Sequence, residues 1–532
     1  MFQITTFDTI IFVIYIVLVL VTGFWFGRKK SEHTGDFFLA RRTIPWYVVG
    51  FAMIATSIST EQFVGAGAKA YDVGMAVVNW EWCIVPAYSL LMFVFLPIYL
   101  RRKIFTIPEY LGIRFGGSAR SIFSFITIAS YFVINLAGVL YSGGYTFHII
   151  FNMPLMASIW LLAVMTGVYT IYGGLSSVAW TEALQCVLLI VGGAIVVISG
   201  LLKIPGGLMG AVGTGERAHL MLPIDHPELP WTAIIVLAFS TNLWYSCTNQ
   251  FYVQSCLGAK NEWHARMGVV CAIFIGIVLG FTVEFSGVVG YRLVELGKIP
   301  VPPESNAIYP VMLRSLIPTG LRGIVFAGLV AAIMSSLSAL INSIATLFSM
   351  DFYGKYIRPS SSEKHLITIG RITGATLLAL GTLWAPVVGT FPTIFDYFQQ
   401  SWAIMAAPFA VVFFLGVMWR RANNPGAIST MILGIAAIPV VFWLKGSGIV
   451  PESFNFYNLV GIVTILLFIW MIVASLVTKP PDYEMTAPAV WTPGLVPLPA
   501  GETPQPYVWY KNVWLWWGCA TACIVFLYAF FW

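Results

Sequence analysis

The sequence predicts an all-α, polytopic membrane protein with about fourteen transmembrane helices. The chain is 59% hydrophobic and 9% charged, whereas an average soluble domain carries about 25% charged residues. Its apolar residues gather in stretches of ~20, the length that lets a helix cross a bilayer. Lys and Arg are shared unequally between alternate connections, and inner loops are the ones that keep basic residues.

The first span, 8–27, is long enough to stay in the membrane, and no secretory cleavage site follows it. With the loop behind it, it makes an N-terminal addition, 1–44. Five spans come next, at 45–68, 76–100, 121–150, 154–172 and 176–202. An outer loop, 203–230, contains Gly and Pro and is expected to be irregular. Five more spans follow, at 231–256, 267–291, 321–350, 366–390 and 393–418. Between two of them, "ESNAIYPVMLRSLIP" has an apolar stripe around Arg314 and predicts a short helix over the outer face. Two further spans, 426–445 and 455–477, fall in 419–477. Residues 478–511 carry eight prolines and read as an extended tether. A peripheral last helix, 512–531, ends the chain within 512–532.

With the N-terminus outside, only Lys69, Lys203, Arg217, Arg292, Lys298, Arg314, Arg322 and Lys445 of the 28 basic residues face outward. The inner side then holds the rest, including the cluster Arg28, Lys29 and Lys30. This predicts a multi-pass protein of the plasma or inner membrane, with both termini outside. The net charge of +6 follows from that bias and calls for no nucleic acid. The seven cysteines form no CxxC pair, and Cys519 and Cys523, one turn apart, have no His beside them. All seven read as small core residues.

Polar residues at membrane depth are costly and usually face a cavity, a partner or a substrate path. Five regions carry them. The second span reads "FAMIATSISTEQFVGAGA", polar from Thr56 to Gln62. The third opens "NWEWCIV", with Glu81 between two tryptophans. The seventh reads "FSTNLWYSCTNQFYVQS", with Asn242, Tyr245, Asn249 and Gln250. The ninth contains "AAIMSSLSALINS", and the eleventh begins "FDYFQQSW", with Gln399 and Gln400.

The second and seventh spans, both polar in mid-course, lie five spans apart. That predicts two five-helix repeats, 45–202 and 231–418, each starting with a broken helix. Inverted repeats with matching breaks mark a common transporter architecture, and the breaks bind substrate and ion. Na⁺ suits such a place: a hard cation wants several oxygens, and a break frees carbonyls that serine hydroxyls nearby can supplement.

"YTIYGGLSSVAWTE" (169–182), "ISTEQFVG" (58–65) and "GLRGIVFAGLVAAIMSSLSALINS" (320–343) resemble the sodium:solute symporter family, in its sodium/glucose-cotransporter-like branch. The resemblance covers spans two to eleven and implies a LeuT-like 5+5 inverted-repeat core and Na⁺-driven uptake by alternating access. It implies a Na⁺ site of the carbonyls of Ala55, Ile58 and Ala332 with the hydroxyls of Ser335 and Ser336. Ser338 and Ser343 are expected to pack or bond back to their own helix, and Asn342 to fix a neighbouring one. The family's sugar site falls on Gln62, Glu81, Asn242 and Gln399, side chains that supply donors and acceptors to a polyhydroxylated solute. Trp80 and Phe395 match outer-gate positions, Tyr245 an inner gate that stacks on the sugar, and Glu182 an acid on the Na⁺ exit path.

The sequence departs from the family at one place. Its sugar transporters often carry a Lys near the position of Gly276, and here no Lys or Arg occurs between Arg266 and Arg292. That leaves open another hexose, a polyol such as inositol, or a modified sugar.

The expected function is therefore Na⁺-coupled symport of a sugar or sugar-like solute. The alternative is the same fold moving another small solute, such as inositol, an amino acid, a carboxylate or a vitamin. The expected partners are Na⁺ as coupling ion, a neutral sugar or polyol, and the bilayer, with a single chain sufficing and no organic cofactor. A sensor would need an appended signalling domain. An intramembrane enzyme has candidate acids in Glu61, Glu81 and Glu284, but no His–carboxylate cluster, HExxH or nucleophile–base pair at depth. His148 stands alone near an outer helix end.

Overall fold

The computed structural model of the chain describes residues 5–27, 33–391, 393–451, 454–502 and 508–532. The basic cluster Arg28, Lys29 and Lys30 lies outside the described residues, as do the side chains of Tyr169, Tyr172 and Gly173 in the "YTIYGG" motif. The apolar stretches form helices because a backbone in lipid must satisfy its own N–H and C=O groups.

In chain order these are α1 (Thr6–Gly27), α2 (Trp46–Ser57), α3 (Glu61–Val73), α4 (Met75–Arg101), α5 (Gly117–Phe151), α6 (Leu155–Val168) and α7 (Gly174–Leu201). The second half begins with α8 (231–248) and α9 (Gln250–Leu257), then α10 (Glu262–Glu295). A short outer helix, α11 (Ile308–Leu316), precedes α12 (Arg322–Ile357), α13 (Glu363–Thr390) and α14 (Ile394–Met418). Last come α15 (Asn424–Gly446), α16 (Phe456–Val477) and α17 (Val513–Phe530).

The expected count of fourteen spans is met only in part. Among the described residues eleven helices are long and apolar enough to cross a membrane, or twelve when the bent pair α2–α3 counts as one. The expected span 154–172 is the shorter α6, and 231–256 is divided at Asn249, where the helix stops. The polar run from Ser240 to Gln250 makes that segment less apolar than a simple span.

Burial sorts the helices. In α12, 94% of the apolar window is buried within the protein, against 17% in α1 and α17. So α12 is the central strut, and the first and last helices face lipid. Small residues bring α12 against α7: a Cβ at Gly328 would lie 2.6 Å from the Leu188 carbonyl oxygen. α2 meets α10 the same way, since a Cβ at Gly50 would lie 2.6 Å from Cys271 Cβ. Such contacts are how helices approach closely in lipid. Asp8 of α1 accepts from the backbone N–H of Gly320 and Gly323 and caps the start of α12.

α6 and α7 are one helical run turned at Gly174, whose φ of 62° and ψ of −166° are left-handed backbone that favours glycine. A Cβ there would also lie 2.6 Å from the Phe37 carbonyl oxygen. Just before α2, Ile44 pairs with Ala259, just after α9, as an isolated parallel bridge. Its N–H donates to Gly258 (3.1 Å) and its carbonyl accepts from Lys260 (3.0 Å).

The proline-rich segment is docked rather than extended. Arg101 donates to the carbonyls of Leu495 and Pro497, and Arg266 to that of Val496. Both guanidinium groups also hold the buried Glu262 carboxylate, Arg101 by two hydrogen bonds of 2.8 and 3.0 Å.

Candidate functional site

The segment α2–α3 bends by 59° across Ile58 to Thr60. Ile58 is extended (φ −94°, ψ 117°), so the last carbonyls of α2 have no partner from the next turn. Ile54 O keeps the helical bond from Ile58 N–H (3.0 Å) and also accepts from the Ser57 hydroxyl (2.9 Å), and the carbonyls after it find other donors. Ala55 O accepts from Ser335 Oγ (2.7 Å), and Thr56 O from Ser336 Oγ (3.1 Å). Ser57 O accepts from Gln62 Nε2 (2.7 Å).

Two more carbonyls join this set. Ser335 Oγ also lies 3.1 Å from Ala332 O, and Ser336 Oγ 3.2 Å from Ile58 O. The five positions expected to bind Na⁺, namely Ala55, Ile58, Ala332, Ser335 and Ser336, fall in two hydrogen-bonded groups, one around Ser335 Oγ and one around Ser336 Oγ. The Thr56 carbonyl is a sixth oxygen, which the side-chain pattern did not disclose. All six are neutral oxygens, the donor set a hard monovalent cation accepts.

The remaining polar residues of α12 divide. Ser338 bonds back to Ser335 O (2.8 Å). Ser343 instead donates to Gln254 Oε1 of α9 (2.8 Å), against the expectation that it stays with its own helix. Asn342 is expected to fix a neighbour, yet its Nδ2 has no hydrogen-bond partner. Glu182 of α7 is buried and approaches the Thr56 hydroxyl, but Thr56 Oγ1 and Glu182 Oε1 complete no hydrogen bond.

A cavity of about 20 Å³ lies against the break, lined by Thr56, Gln62, Asn135, Tyr245, Ser336 and Trp402 among others. It has room on the order of one water. Of the four side chains expected to hold solute, only Gln62 lines it, and its amide is already committed. Gln62 Oε1 accepts from Ser59 N–H (2.7 Å) while Nε2 donates to Ser57 O. Gln62 therefore stitches α2 to α3 while also lining the cavity.

Glu81, near the start of α4, and Asn242, on α8, do not line that cavity. Asn242 Nδ2 donates to Cys83 Sγ (3.3 Å). Glu81 faces Gly276 of α10, its Oε2 lying 3.7 Å from where a Cβ would be. Gln399 is buried on α14 with Nε2 unpartnered. Glu61 lines the cavity and lies within electrostatic range of Glu81, so it links the two groups.

The expected gates are packed shut. Trp80 and Phe395 meet edge to face, with centroids 5.2 Å apart. Tyr245 packs on Phe251, Tyr252 and Trp402, with centroids between 5.2 and 5.6 Å. Asn135 and Trp402 were missed in the sequence reading; Trp402 Nε1 donates to Asn135 Oδ1 (2.9 Å). The signal was present, since Asn135 is an amide isolated in an apolar span.

The sequence profile of the sodium:solute symporter family matches residues 37–434. A sodium/glucose cotransporter of Vibrio parahaemolyticus is 34% identical, over 88% of this chain and 89% of its own length. Sodium/myo-inositol cotransporter 2 of Oryctolagus cuniculus is 30% identical, over 91% of this chain and 78% of its own. The solved outward-open structure of a Na⁺-coupled sialic acid symporter superposes with a TM-score of 0.77, at 20% identity, over 90% of this chain and 99% of that one. This likeness shows the fold, an all-helical LeuT-like transporter.

Proposed function

Because the chain belongs to the sodium:solute symporter family, we propose that it is a Na⁺-coupled symporter that imports a sugar-like, polyhydroxylated solute by alternating access. The observation that carries this is that neighbouring serines of α12, Ser335 and Ser336, reach across to the carbonyls freed at the α2–α3 break. Named relatives are cotransporters of glucose and of myo-inositol, which supports a solute rich in hydroxyls.

In this reading Na⁺ is bound by the carbonyls of Ala55, Ile58 and Ala332 and the hydroxyls of Ser335 and Ser336, with Thr56 O adjoining. The ion takes over oxygens that otherwise bond to one another, so it draws the end of α2 and the middle of α12 into one arrangement. Coupling is then a difference in solute affinity between states. Glu81, Asn242 and Gln399 hold the solute, and Gln62 positions the break. Trp80 and Phe395 close the outer side and Tyr245 the inner side, with Glu182 beside the ion's way out. Both termini face outward.

The test is uptake by the purified protein in proteoliposomes. A panel of labelled hexoses, inositols and amino acids is offered with and without an inward Na⁺ gradient. Concentrative uptake of a polyhydroxylated solute only with the gradient is expected. Uptake indifferent to Na⁺ for every solute overturns the proposal.

A further inference from the structure

We propose that residues 489–502 form a strap that holds the inner side shut, and that Trp491 lets go of α14 each time that side opens. This rests on the reading of the chain as an alternating-access symporter and names what controls its inner opening.

The seam that must part is marked by Tyr245 of α8, which packs on Trp402 of α14 with centroids 5.5 Å apart. On one side of the seam, α8 and α9 are fastened to α4. Tyr99 donates to Cys247 O (3.0 Å), Cys247 Sγ donates to Ala87 O (3.4 Å), and the hydroxyls of Tyr88 and Tyr252 bond to each other. On the other side, α14 is fastened to α5. Trp402 Nε1 donates to Asn135 Oδ1 (2.9 Å) and Tyr397 to Val133 O (2.5 Å). The short helix Ile107–Phe115 goes with α14, since its buried Arg114 donates to Gly416 O (2.7 Å) and Trp419 O (2.8 Å). Neutral bonds cross the seam, from Tyr131 of α5 to Asn249 Oδ1 (3.2 Å) and from Ile107 N–H to Gln250 Oε1 (2.8 Å).

The strap crosses the seam as well, and Trp491 holds both sides. Its backbone N–H donates to Val417 O at the end of α14 (2.9 Å), and its Nε1 donates to Phe93 O of α4 (3.0 Å). Tyr110 of the short helix donates to Ala489 O (3.2 Å). Ala489 and Val490 are buried, so the segment is seated in the protein rather than laid on it. Farther along, Arg101 of α4 donates to Leu495 O (2.8 Å) and Pro497 O (2.6 Å), and Arg266 of α10 to Val496 O (2.6 Å). The Glu502 carboxylate accepts from the Glu262 N–H of α10 (2.8 Å).

These attachments are unequal. Toward α10 and the end of α4 they are made by guanidinium and carboxylate groups, and hydrogen bonds to charged groups are the stronger kind. Both guanidinium groups are held in turn by the Glu262 carboxylate. Toward α14 and the short helix the bonds are neutral. Pro493, Pro497 and Pro499 stiffen the segment between. The strap therefore rides with α4 and α10, and α14 is the partner it releases. Alternating access moves one group of helices against another, and the strap spans the two groups that Tyr245 and Trp402 join.

The experiment places Val417→Cys and Trp491→Cys together in the full chain, where the bond between the two backbones brings their Cα atoms within reach of a disulfide. Proteoliposomes take up labelled hexoses and inositols under an inward Na⁺ gradient, and each rate is divided by that of the native chain treated alike. Reduced, the pair should work within about twofold of the native chain; oxidised by copper phenanthroline, it should lose at least about tenfold, and dithiothreitol should restore it. The disulfide should also form several times more slowly with Na⁺ and solute together than with Na⁺ alone, because turnover parts the two residues. A second pair, Tyr110→Cys with Ala489→Cys joined by a short bifunctional thiol reagent, ties the strap to the same side and should block uptake alike. It carries the test if the first pair is inactive when reduced. Full uptake with the strap cross-linked overturns the latch, shows a fixed brace and leaves symport standing. Failure of Val417→Cys and Trp491→Cys to join overturns the seating of Trp491 on α14. A native chain that takes up none of these solutes with Na⁺ overturns the symport reading, and the latch with it.

Discussion

Ile58 and Asn249, each at the break in the first helix of its repeat, hold nearly the same backbone conformation. Ile58 has φ −94° and ψ 117°, Asn249 φ −79° and ψ 123°. The two breaks are nonetheless satisfied differently. The first is met by aliphatic hydroxyls from α12. The second is met by phenols: Tyr99 donates to Cys247 O (3.0 Å) and Tyr131 to Asn249 Oδ1 (3.2 Å). Small hydroxyls on a neighbouring helix leave a cation room to share the carbonyls; bulky phenols fill the place themselves. Equivalent breaks thus differ in the groups that complete them.

Ser336→Ala removes one hydroxyl from that site and leaves Thr56 O and Ile58 O without their donor. The Na⁺ concentration for half-maximal uptake should rise about tenfold, since one such bond is worth about 1 kcal/mol or slightly more. The check is a Na⁺ titration at saturating solute. An unchanged curve would remove Ser336 from the ion's ligands.

Gln62→Ala strips the stitch from the break, leaving Ser57 O and Ser59 N–H unpaired. An unsatisfied buried group costs about 1–3 kcal/mol. Melting temperature should fall, and the half-saturating concentrations of Na⁺ and solute should both rise. Loss of solute affinity alone, with stability and Na⁺ response intact, would instead show direct contact with solute.

Trp80→Ala removes one ring of the Trp80–Phe395 pair, the proposed outer gate. Cys83, three residues on, is buried. In a background carrying Cys519→Ser and Cys523→Ser, a membrane-impermeant thiol reagent should label Cys83 several times faster in the Trp80→Ala protein than with Trp80 intact. Equal rates would mean that Trp80 does not guard that route.

Glu262→Gln breaks a different arrangement. The side chains of Glu262 and Arg266 are 1% and 2% exposed, and Arg101 shares the same carboxylate. Removing one partner of a buried ion pair typically costs about 3–5 kcal/mol. Thermal unfolding in detergent should show a clear loss of stability, and restoring the charge with Glu262→Asp should recover part of it. An unaltered transition would show that the arginines find other partners.

The helices were legible because length and apolarity write a span directly into the chain. Ser335 and Ser336 were legible for the opposite reason: hydroxyls inside an apolar run need a purpose. Thr56 O was not, since a backbone acceptor carries no residue-type signature. The bonds of Gln62 to its own break were not legible either, because an amide there looks the same whether it serves a ligand or its own backbone. The separation of Glu81 and Asn242 from the cavity depends on how α4 lies against α8 and α10, which no local pattern records. The divided seventh helix was read as a span because its break was seen while its loss of apolar length was not.

The bridge between Ile44 and Ala259 has a mechanical meaning. It joins the entry to the first repeat's leading helix to the exit of the second's. The entry to one leading helix and the exit from the other are thereby tied into one piece of paired backbone, by hydrogen bonds that side-chain substitution leaves in place.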